Sequence, residues 1–568
     1  MHSRMEHRGI VAVLVLVVGL FAWTAAAEQV VTSTEGMVAT AHELASEAGA
    51  EILAMGGNAV DAAVAAAFAI TVVEPNASSL GGEGYMVISL ADGRDLAIDY
   101  KSVAPGHITY EDDNDEPRRG PESTCVPGVV AGLALALEEY GTMTLAEVMA
   151  PAIRLARDGF ALDPVLYDNL SNLYGYTDSG TDPIVGPVYF PDGFIPDIGV
   201  TLVQKDLAYA LELIAEQGPS VFYRGEIALA IEEITEGFLR YGDLQRYQAV
   251  IRDPVVSEYR GYEVIGTPPN VAGVTVAEAL NILDNFDLSP LSWDNPTAVH
   301  IVAEALKLAS ADRLPYVGDP DFYDVPLEGL LSEEYATARA SLIDLDNAIM
   351  PTNSTPTGDP YLYMAVGEPV AVGEEVYSPS TTQLSILDSD GNAVSITQTL
   401  SSFWGSRLMV PGYGFFINDE LHNFNDYNPD NLADINVHQP FKRPRTVIAP
   451  TIVRDPAGEV FMVVGTPGAG RIPSTVVLTI INVIDFGMSL EEAILAPKFC
   501  SRVAYKELRM EGGYPQETLD ALAALGHTVK ADYDEVDLYF GGINAILVED
   551  GVMTGVGSFR RDGGAAAP

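Results

Sequence analysis

Hydrophobic residues recur at helical spacing along much of the first part of the chain. An alanine-rich periodic pattern runs through Ala41–Met55, breaks at the glycines and asparagine of residues 56–58, and resumes in Ala59–Val73. This spacing predicts two consecutive helices separated by a turn. The same periodicity predicts further helices at Val129–Tyr140, Leu145–Asp158, Leu207–Ile214 and Val299–Ser310.

The pattern changes in the second part of the chain. Residues 347–371 are rich in proline, glycine, threonine and asparagine, which is typical of an exposed linker. Beyond them, hydrophobic and polar residues alternate in Gln383–Leu387 and again in Ala393–Leu400, which predicts a β-hairpin. Outside the hairpin, the pattern predicts strands at Tyr85–Leu90, Thr446–Arg454 and Val460–Gly465, and a helix at Ser489–Ala496. The sequence thus predicts a helix-rich N-terminal part, a linker and a β-rich C-terminal part.

The first residues have the pattern of a targeting segment. Arg4 and Arg8 precede an apolar run from Ile10 to Phe21, and three alanines follow at residues 25–27. A basic start, a short apolar run and small residues predict a secretory signal peptide over residues 1–27. The run is shorter than a membrane-spanning helix requires, and retention as an N-terminal anchor is the alternative. We therefore expect a protein that is secreted, periplasmic or attached to the cell surface.

The strongly negative net charge excludes some classes of binding partner. The 568 residues include 80 Asp and Glu against 30 Lys and Arg, a formal charge of −50. Such a surface repels nucleic-acid phosphates and anionic lipids, so no nucleic-acid partner is expected. The acidic residues are scattered and form no calcium-binding loop pattern, which favours a solvated surface of the kind that suits high salt.

Metal ligands and cysteines are sparse. The two cysteines, Cys125 and Cys500, are too few for a disulfide framework or a four-ligand zinc site. They are expected to be either two small buried side chains or one bridge. The eight histidines show no metal-binding spacing, so no metal site is predicted.

A threonine stands where the predicted linker ends and the hairpin begins, at Ser380–Thr381. A hydroxyl there can attack the carbonyl carbon of the preceding residue and turn the amide into an ester, whose hydrolysis frees the threonine amine. That amine, with a reference pKa of about 7.7–8.0, can then serve as a general base. The local pattern alone is weak evidence, because threonine is common at strand starts.

The surrounding blocks make the interpretation stronger. The segment Thr381–Asp388, followed by residues 390–394, resembles the start of the small subunit of γ-glutamyltransferases. Further blocks along nearly the whole mature chain resemble the same family, at residues 56–63, 73–75, 81–82, 127–132, 155–159, 311–313, 318–321, 442–444, 465–468 and 471–472.

The resemblance implies both a fold and a reaction. The fold is α+β, the αββα arrangement of N-terminal nucleophile hydrolases, with two stacked antiparallel sheets between helical layers. One precursor is cut between Ser380 and Thr381 into a large subunit, residues 28–380, and a small catalytic subunit, residues 381–568. The implied enzyme transfers γ-glutamyl groups from substrates such as glutathione to an amino acid, a peptide or water. It needs neither a metal nor an organic cofactor.

The resemblance also assigns the catalytic residues. Thr381 corresponds to the nucleophile, and Thr399 to the threonine that orients it. Gly468 and Ala469 occupy the positions whose backbone N–H groups form the oxyanion hole. The family usually has two glycines there, but alanine keeps its N–H and can still donate.

The substrate pocket departs from the family pattern on both sides. On the carboxylate side, Lys101 replaces an arginine, and Thr446 and Val447 replace two serines. Lysine keeps the charge but loses the bidentate fork, and the neighbouring Arg445 is a candidate to replace the missing charge. On the ammonium side, three positions that are usually asparagine, glutamate or glutamine, and aspartate are here Ser401, Glu420 and Asn423.

The sequence therefore predicts intact chemistry with altered specificity. One alternative is a related acylase acting on a glutaryl-type amide or on poly-γ-glutamate, since Asn423 and Val447 weaken recognition of a free α-amino acid. The other is a non-catalytic secreted binding protein, for which Ser401 and Ala469 are the only support.

Overall fold

A computed structural model describes residues 29–109, 119–176, 180–349, 355–364, 380–425 and 434–568. The predicted signal peptide and about half of the predicted linker, residues 350–354 and 365–371, lie outside these residues. The strands in the described part are β1 Val30–Ser33, β2 Gly36–Thr40, β3 Glu83–Ser89, β4 Asp95–Tyr100, β5 Phe160–Ala161, β6 Thr201–Leu202, β7 Val250–Arg252, β8 Val255–Tyr259, β9 Tyr262–Gly266, β10 Thr382–Asp388, β11 Ala393–Thr399, β12 Thr451–Arg454, β13 Val460–Gly465, β14 Phe499–Cys500, β15 Leu508–Met510, β16 Val529–Lys530, β17 Asn544–Glu549, β18 Val552–Val556 and β19 Gly564–Ala566.

Helices surround these strands. Those in the described residues are α1 Glu43–Ala54, α2 Ala59–Val73, α3 Val129–Tyr140, α4 Leu145–Asp158, α5 Pro164–Tyr174, α6 Gly186–Tyr189, α7 Lys205–Gln217, α8 Ser220–Arg224, α9 Glu226–Ile234, α10 Tyr241–Arg246, α11 Gly273–Leu283, α12 Pro296–Tyr316, α13 Leu327–Leu330, α14 Glu333–Ala340, α15 Ile472–Ile484, α16 Leu490–Leu495 and α17 Gln516–Ala524. By the criterion of length and apolarity, none of the helices in the described residues could span a membrane.

Two seven-stranded antiparallel sheets form the centre of the fold. One has the strand order β1-β18-β17-β13-β12-β9-β8, and the other has the order β19-β2-β10-β11-β3-β4-β7. Each sheet takes strands from both sides of Ser380, so the predicted division into a helix-rich and a β-rich part is too simple. Strands β10 and β11 lie in the middle of the second sheet, flanked by β2 and β3.

Alternation along the strands divides the core into three layers. In β2, Met37 and Ala39 pack between the sheets, whereas Val38 packs toward the helices. In β13, Val463 likewise faces the other sheet, whereas Val464 packs with helices α11, α12 and α15. Side chains on successive strand residues point to opposite faces, so a strand buried on both sides joins two layers. This arrangement is the αββα architecture that the resemblance implied.

Most elements predicted from periodicity are confirmed, with boundary shifts of a few residues. Strand β2 was missed because it is buried on both faces and therefore lacks alternation. The predicted strand Thr446–Arg454 is paired only over Thr451–Arg454, since Thr446 instead donates its N–H to the Asn270 carbonyl at 3.0 Å. Cys125 and Cys500 are both buried and are not joined in a disulfide, as expected of two small buried side chains.

Candidate active site

The β10–β11 hairpin brings two threonines together. Thr381 directly precedes β10, and Thr399 ends β11. The antiparallel register pairs Thr382 with Gln398 and so places the two threonines side by side. Their hydroxyl oxygens are 3.4 Å apart, and both residues are buried. The predicted nucleophile and its predicted orienting residue are therefore within contact distance.

The carbonyl of Ser380 lies against both hydroxyls. Thr399 Oγ1 donates to the Ser380 oxygen at 2.6 Å, and Thr381 Oγ1 contacts the same oxygen. The Ser401 N–H in turn donates to Thr399 Oγ1 at 2.8 Å. A hydroxyl that accepts one hydrogen bond donates a second one more strongly. These two linked hydrogen bonds therefore draw electron density from the Ser380 carbonyl, next to the hydroxyl that would attack it.

Ser401 holds the peptide on the other side as well. Its carbonyl accepts the Ser380 N–H at 3.1 Å, while its own N–H binds Thr399. Ser401 has a φ of +77°, in the left-handed region that costs a non-glycine residue about 1 kcal/mol or more. The sequence prediction gave Ser401 only a substrate-binding role. The structure adds a second role, in which the Ser401 backbone binds both Ser380 and Thr399. This role depends on the backbone angle φ and cannot be recognised from the residue type.

A buried ion pair fixes the backbone of Thr381. Arg561 donates to the Thr381 carbonyl at 2.8 Å and to a Glu74 carboxylate oxygen at 3.0 Å. Burial raises the pKa of Glu74 and lowers that of Arg561, and the attraction between the two charges opposes both shifts. Glu74 lies in one of the family-like blocks, at residues 73–75, but sequence reasoning assigned it no role. Arg561 was missed, because a partner 487 positions away gives no local signal.

Gly468 and Ala469 form the turn that leads from β13 toward α15. Their φ values are +138° and +50°. Both are in the left-handed region, which explains why glycine suits these positions and shows that this alanine adopts the same kind of turn. Among the described residues, neither backbone N–H has a hydrogen-bond acceptor. Ala469 lies in the cavity wall together with Thr381, and its role as an oxyanion donor stays a prediction.

A small cavity of about 30 Å³ joins the catalytic and substrate-binding residues. This space holds about one or two waters and is far below the roughly 300–1,000 Å³ of an ordinary small-molecule site. Its walls are Ser380, Thr381, Thr399, Ser401, Glu420, Asn423, Thr446, Val447, Ile448 and Ala469. The predicted site residues outside this wall are Lys101, Gly468 and Arg445.

Lys101 lies directly behind the cavity. It is completely buried, and its ammonium forms an ion pair with the Glu83 carboxylate. The same ammonium donates to Thr446 Oγ1 at 3.0 Å and lies 3.5 Å from Glu420 Oε2. Burial lowers the pKa of Lys101 to about 8, and the nearby charge of Glu420 opposes the shift. The sequence gives no signal for Glu83, which stands among the glycines of residues 81–84 and acts on a lysine 18 positions away.

The three residues expected on the ammonium side of the pocket are joined by hydrogen bonds. Asn423 donates from Nδ2 to Glu420 Oε2 and to Ser401 Oγ, each at 2.8 Å. Glu420 Oε1 is buried and has no hydrogen-bond partner among the described residues. The structure thus brings Ser401, Glu420 and Asn423 together, as the resemblance implied.

Arg445 does not reach the cavity. Its guanidinium donates to the Leu314 carbonyl at 2.6 Å and to the Val317 carbonyl at 3.4 Å, at the end of α12. These contacts fasten the segment around residue 445 to the helix. The hypothesis that Arg445 supplies the charge missing from the pocket therefore stays a prediction, one that would require the guanidinium to leave these carbonyls.

One buried cluster contains residue types that bind metals. His300, Glu304 and His527 lie together, although the sequence places His527 far from the other two. His300 Nε2 faces the Asp344 carbonyl at 2.9 Å, so it carries hydrogen, and His300 Nδ1 accepts from His527 Nε2 at 2.7 Å. Burial lowers the pKa of His527 to about 3, which keeps its ring neutral. The ring nitrogens are thus used within a structural hydrogen-bond chain.

Comparisons with known proteins give the family. Residues 45–568 match the family model described as gamma-glutamyltranspeptidase. The chain is 38% identical over 518 residues to the glutathione hydrolase proenzyme of Escherichia coli strain K12, covering 88% of this chain and 86% of that protein. It is 37% identical over 551 residues to the acylase ACY 1 proenzyme of Pseudomonas sp. strain SE83, covering 94% and 93%. The solved cephalosporin acylase from Bacillus halodurans matches with a TM-score of 0.84 and 31% identity, over 95% of this chain and 97% of that one. This chain belongs to the gamma-glutamyltranspeptidase family.

Proposed function

We propose that the chain is an exported, self-cleaving enzyme that breaks γ-glutamyl amides, glutathione among them, through an acyl-enzyme on Thr381. The observation that carries this proposal is the contact of the Ser380 carbonyl with the hydroxyls of Thr381 and Thr399. Export is proposed from the signal-peptide pattern of residues 1–27.

In the proposed self-cleavage, Thr381 Oγ1 attacks the carbonyl carbon of Ser380. The C–N bond of that peptide breaks, the nitrogen takes up a proton, and an ester joins Ser380 to the threonine side chain. Water then hydrolyses the ester and releases Ser380 as a carboxylate. Thr381 is left with a free α-amine, which is the base that the later reaction requires. Departure of Ser380 from the cavity wall also enlarges the small space described above.

In the proposed turnover, the Thr381 amine accepts the proton of Oγ1, and the oxygen attacks the γ-amide carbonyl of the substrate. The N–H groups of Gly468 and Ala469 stabilise the oxyanion, an effect worth about 10²–10³ in rate for one donor in comparable sites. The protonated amine then gives its proton to the leaving nitrogen. Water resolves the acyl-enzyme by hydrolysis, and the amine of an amino acid or peptide resolves it by transfer.

A related acylase is the second candidate function. Val447 lines the cavity where the resemblance leads us to expect a serine, and it offers no hydrogen bond to a substrate carboxylate. Two of the similar proteins reported above are themselves named acylases. A glutaryl amide lacks the α-ammonium that Glu420 would bind, so the two candidates differ in the charged groups of the donor.

The proposal is tested by the release of p-nitroaniline from γ-glutamyl-p-nitroanilide at high salt. We expect turnover by the wild-type protein, no turnover by Thr381→Ala, and reduced but measurable turnover by Thr381→Ser, which keeps a nucleophilic oxygen. Equal activity of Thr381→Ala would contradict the assignment of the nucleophile. Cleavage of glutaryl-p-nitroanilide alone would favour the acylase.

A further inference from the structure

We infer that Glu83 makes the donor pocket discriminate against a free α-carboxylate, so that such donors are used but are not preferred. The preferred acyl donor is then a γ-amide that has a free α-ammonium and whose α-carboxyl group is itself an amide, as at the N-terminal glutamine of a peptide. The inference rests on the proposed function, since it concerns the donor that Thr381 would attack. It goes further by naming the donor class and the residue that selects it.

The first step concerns the hydrogen bonds of Lys101. An ammonium group has three N–H donors. Here it contacts three acceptors, which are the Glu83 carboxylate, Thr446 Oγ1 at 3.0 Å and Glu420 Oε2 at 3.5 Å. The side chain is fully buried, so it is fixed among these partners. The charge of Lys101 is therefore already paired with a carboxylate before a substrate binds, and two of its N–H groups are used in hydrogen bonds to Thr446 and Glu420.

The second step is the charge at the cavity. Glu83 and Glu420 are both buried and carry two negative charges when ionised, against the one positive charge of Lys101. A substrate carboxylate placed beside these three groups would lose its hydration and lie next to two carboxylates and one ammonium, which is costly in a buried site. The buried Glu420 Oε1, which has no partner among the described residues, offers an ammonium a direct ion pair.

The third step concerns the other cations nearby. Arg313 donates to the main-chain oxygen of Thr446, and Arg445 donates to the Leu314 carbonyl. Arg443 is paired with Asp321, at 3.0 Å. None of these arginines belongs to the described cavity wall. Neutralising a donor carboxylate would therefore require a rearrangement of the described pocket.

Glu83 is held where it acts. It begins β3, and the sheet register places it directly opposite Thr399. Its second carboxylate oxygen accepts the Ser102 N–H at 2.9 Å and contacts the Ser102 hydroxyl. Because one carboxylate oxygen is bound by Ser102 and the other contacts Lys101, the carboxylate is held against the Lys101 ammonium. The sheet thus places the Glu83 residue next to Thr399, which lines the cavity.

The test compares three p-nitroanilides: the γ-glutamyl compound with a free α-carboxylate, its α-carboxamide analogue, and the glutaryl compound. For the wild-type protein we expect kcat/KM to be about tenfold higher for the α-carboxamide than for the free acid, and lowest for the glutaryl compound, since one such charged contact is worth about a factor of ten. In Glu83→Gln, one negative charge is lost, and the Lys101 ammonium loses the carboxylate that pairs with it and can pair with the substrate carboxylate instead. The ratio of carboxamide to free acid should then fall about tenfold.

The matched control is Glu278→Gln. Glu278 is equally buried, but it lies on α11 beside Asp312 and not at the cavity. We expect this variant to leave the donor ratio unchanged.

Each outcome decides between the claims. A wild-type preference for the free acid, or an unchanged ratio in a folded Glu83→Gln protein, overturns the inference and leaves the proposed function standing. A wild-type preference for the glutaryl compound overturns the inference in favour of the acylase. Turnover of none of the three donors by a cleaved protein overturns both claims. The wild-type ranking is decisive by itself if Glu83→Gln does not fold.

Discussion

At the scale of single residues, the chemistry depends on the groups around the Ser380 carbonyl. Thr399 polarises this carbonyl, and Ser401 strengthens Thr399 by donating its N–H. In the proposed self-cleavage the hydroxyl of Thr399 has two tasks: it activates the Ser380–Thr381 peptide, and it lies beside the proposed nucleophile.

Replacing Thr399 separates the hydroxyl from the shape of the side chain. In Thr399→Val the volume is nearly kept and the hydrogen bond to Ser380 is lost, so we expect self-cleavage to slow by roughly 10²-fold, the usual cost of one lost donor at a developing oxyanion. Thr399→Ser retains the hydroxyl and should cleave at close to the wild-type rate. The measurement is a time course of the precursor band on a denaturing gel. Equal rates for the valine and serine variants would show that the hydroxyl is not needed.

At the scale of elements, the turn after β13 carries the two proposed oxyanion donors, Gly468 and Ala469. Ala469 has a φ of +50°, which glycine adopts freely and a β-branched residue adopts only with strain. We expect Ala469→Gly to keep the turnover number for γ-glutamyl-p-nitroanilide within about twofold. Ala469→Val should lower it by roughly tenfold or more, because a strained turn moves the N–H away from the oxyanion. Steady-state kinetics of the two variants check this, and full activity of Ala469→Val would contradict it.

The elements also show which features can be predicted from sequence. The hairpin of β10 and β11 follows from strict alternation, and helices such as α3 and α4 follow from their periodicity. Strand β2 does not, because its burial on both faces removes the alternation.

The site residues also fall into those that the sequence predicts and those that it does not. Thr381 and Thr399 follow from the family-like blocks around the hairpin, whereas Glu83 and Arg561 act through partners far away in the chain. Arg445 shows the limit of proximity in sequence, since it stands next to Thr446 and Val447 while its guanidinium binds the Leu314 carbonyl.

At the scale of the whole molecule, the two expected subunits share both sheets. Strands β10 and β11 follow the cleavage position, and they pair with β2 and β3, which precede it. The ion pair of Glu74 with Arg561 also crosses between the two pieces. A cut at Ser380–Thr381 would leave these contacts in place, so the pieces should stay associated in native conditions.

The most direct test is the intact mass, under denaturing conditions, of protein purified in high salt, with Thr381→Ala as the control. We expect two species from the wild-type protein, one with the mass of residues 381–568, and one uncleaved species from the variant. A single full-length mass that persists after long incubation near neutral pH would contradict self-cleavage. The same cut in Thr381→Ala would show that Thr381 is not the residue that makes it.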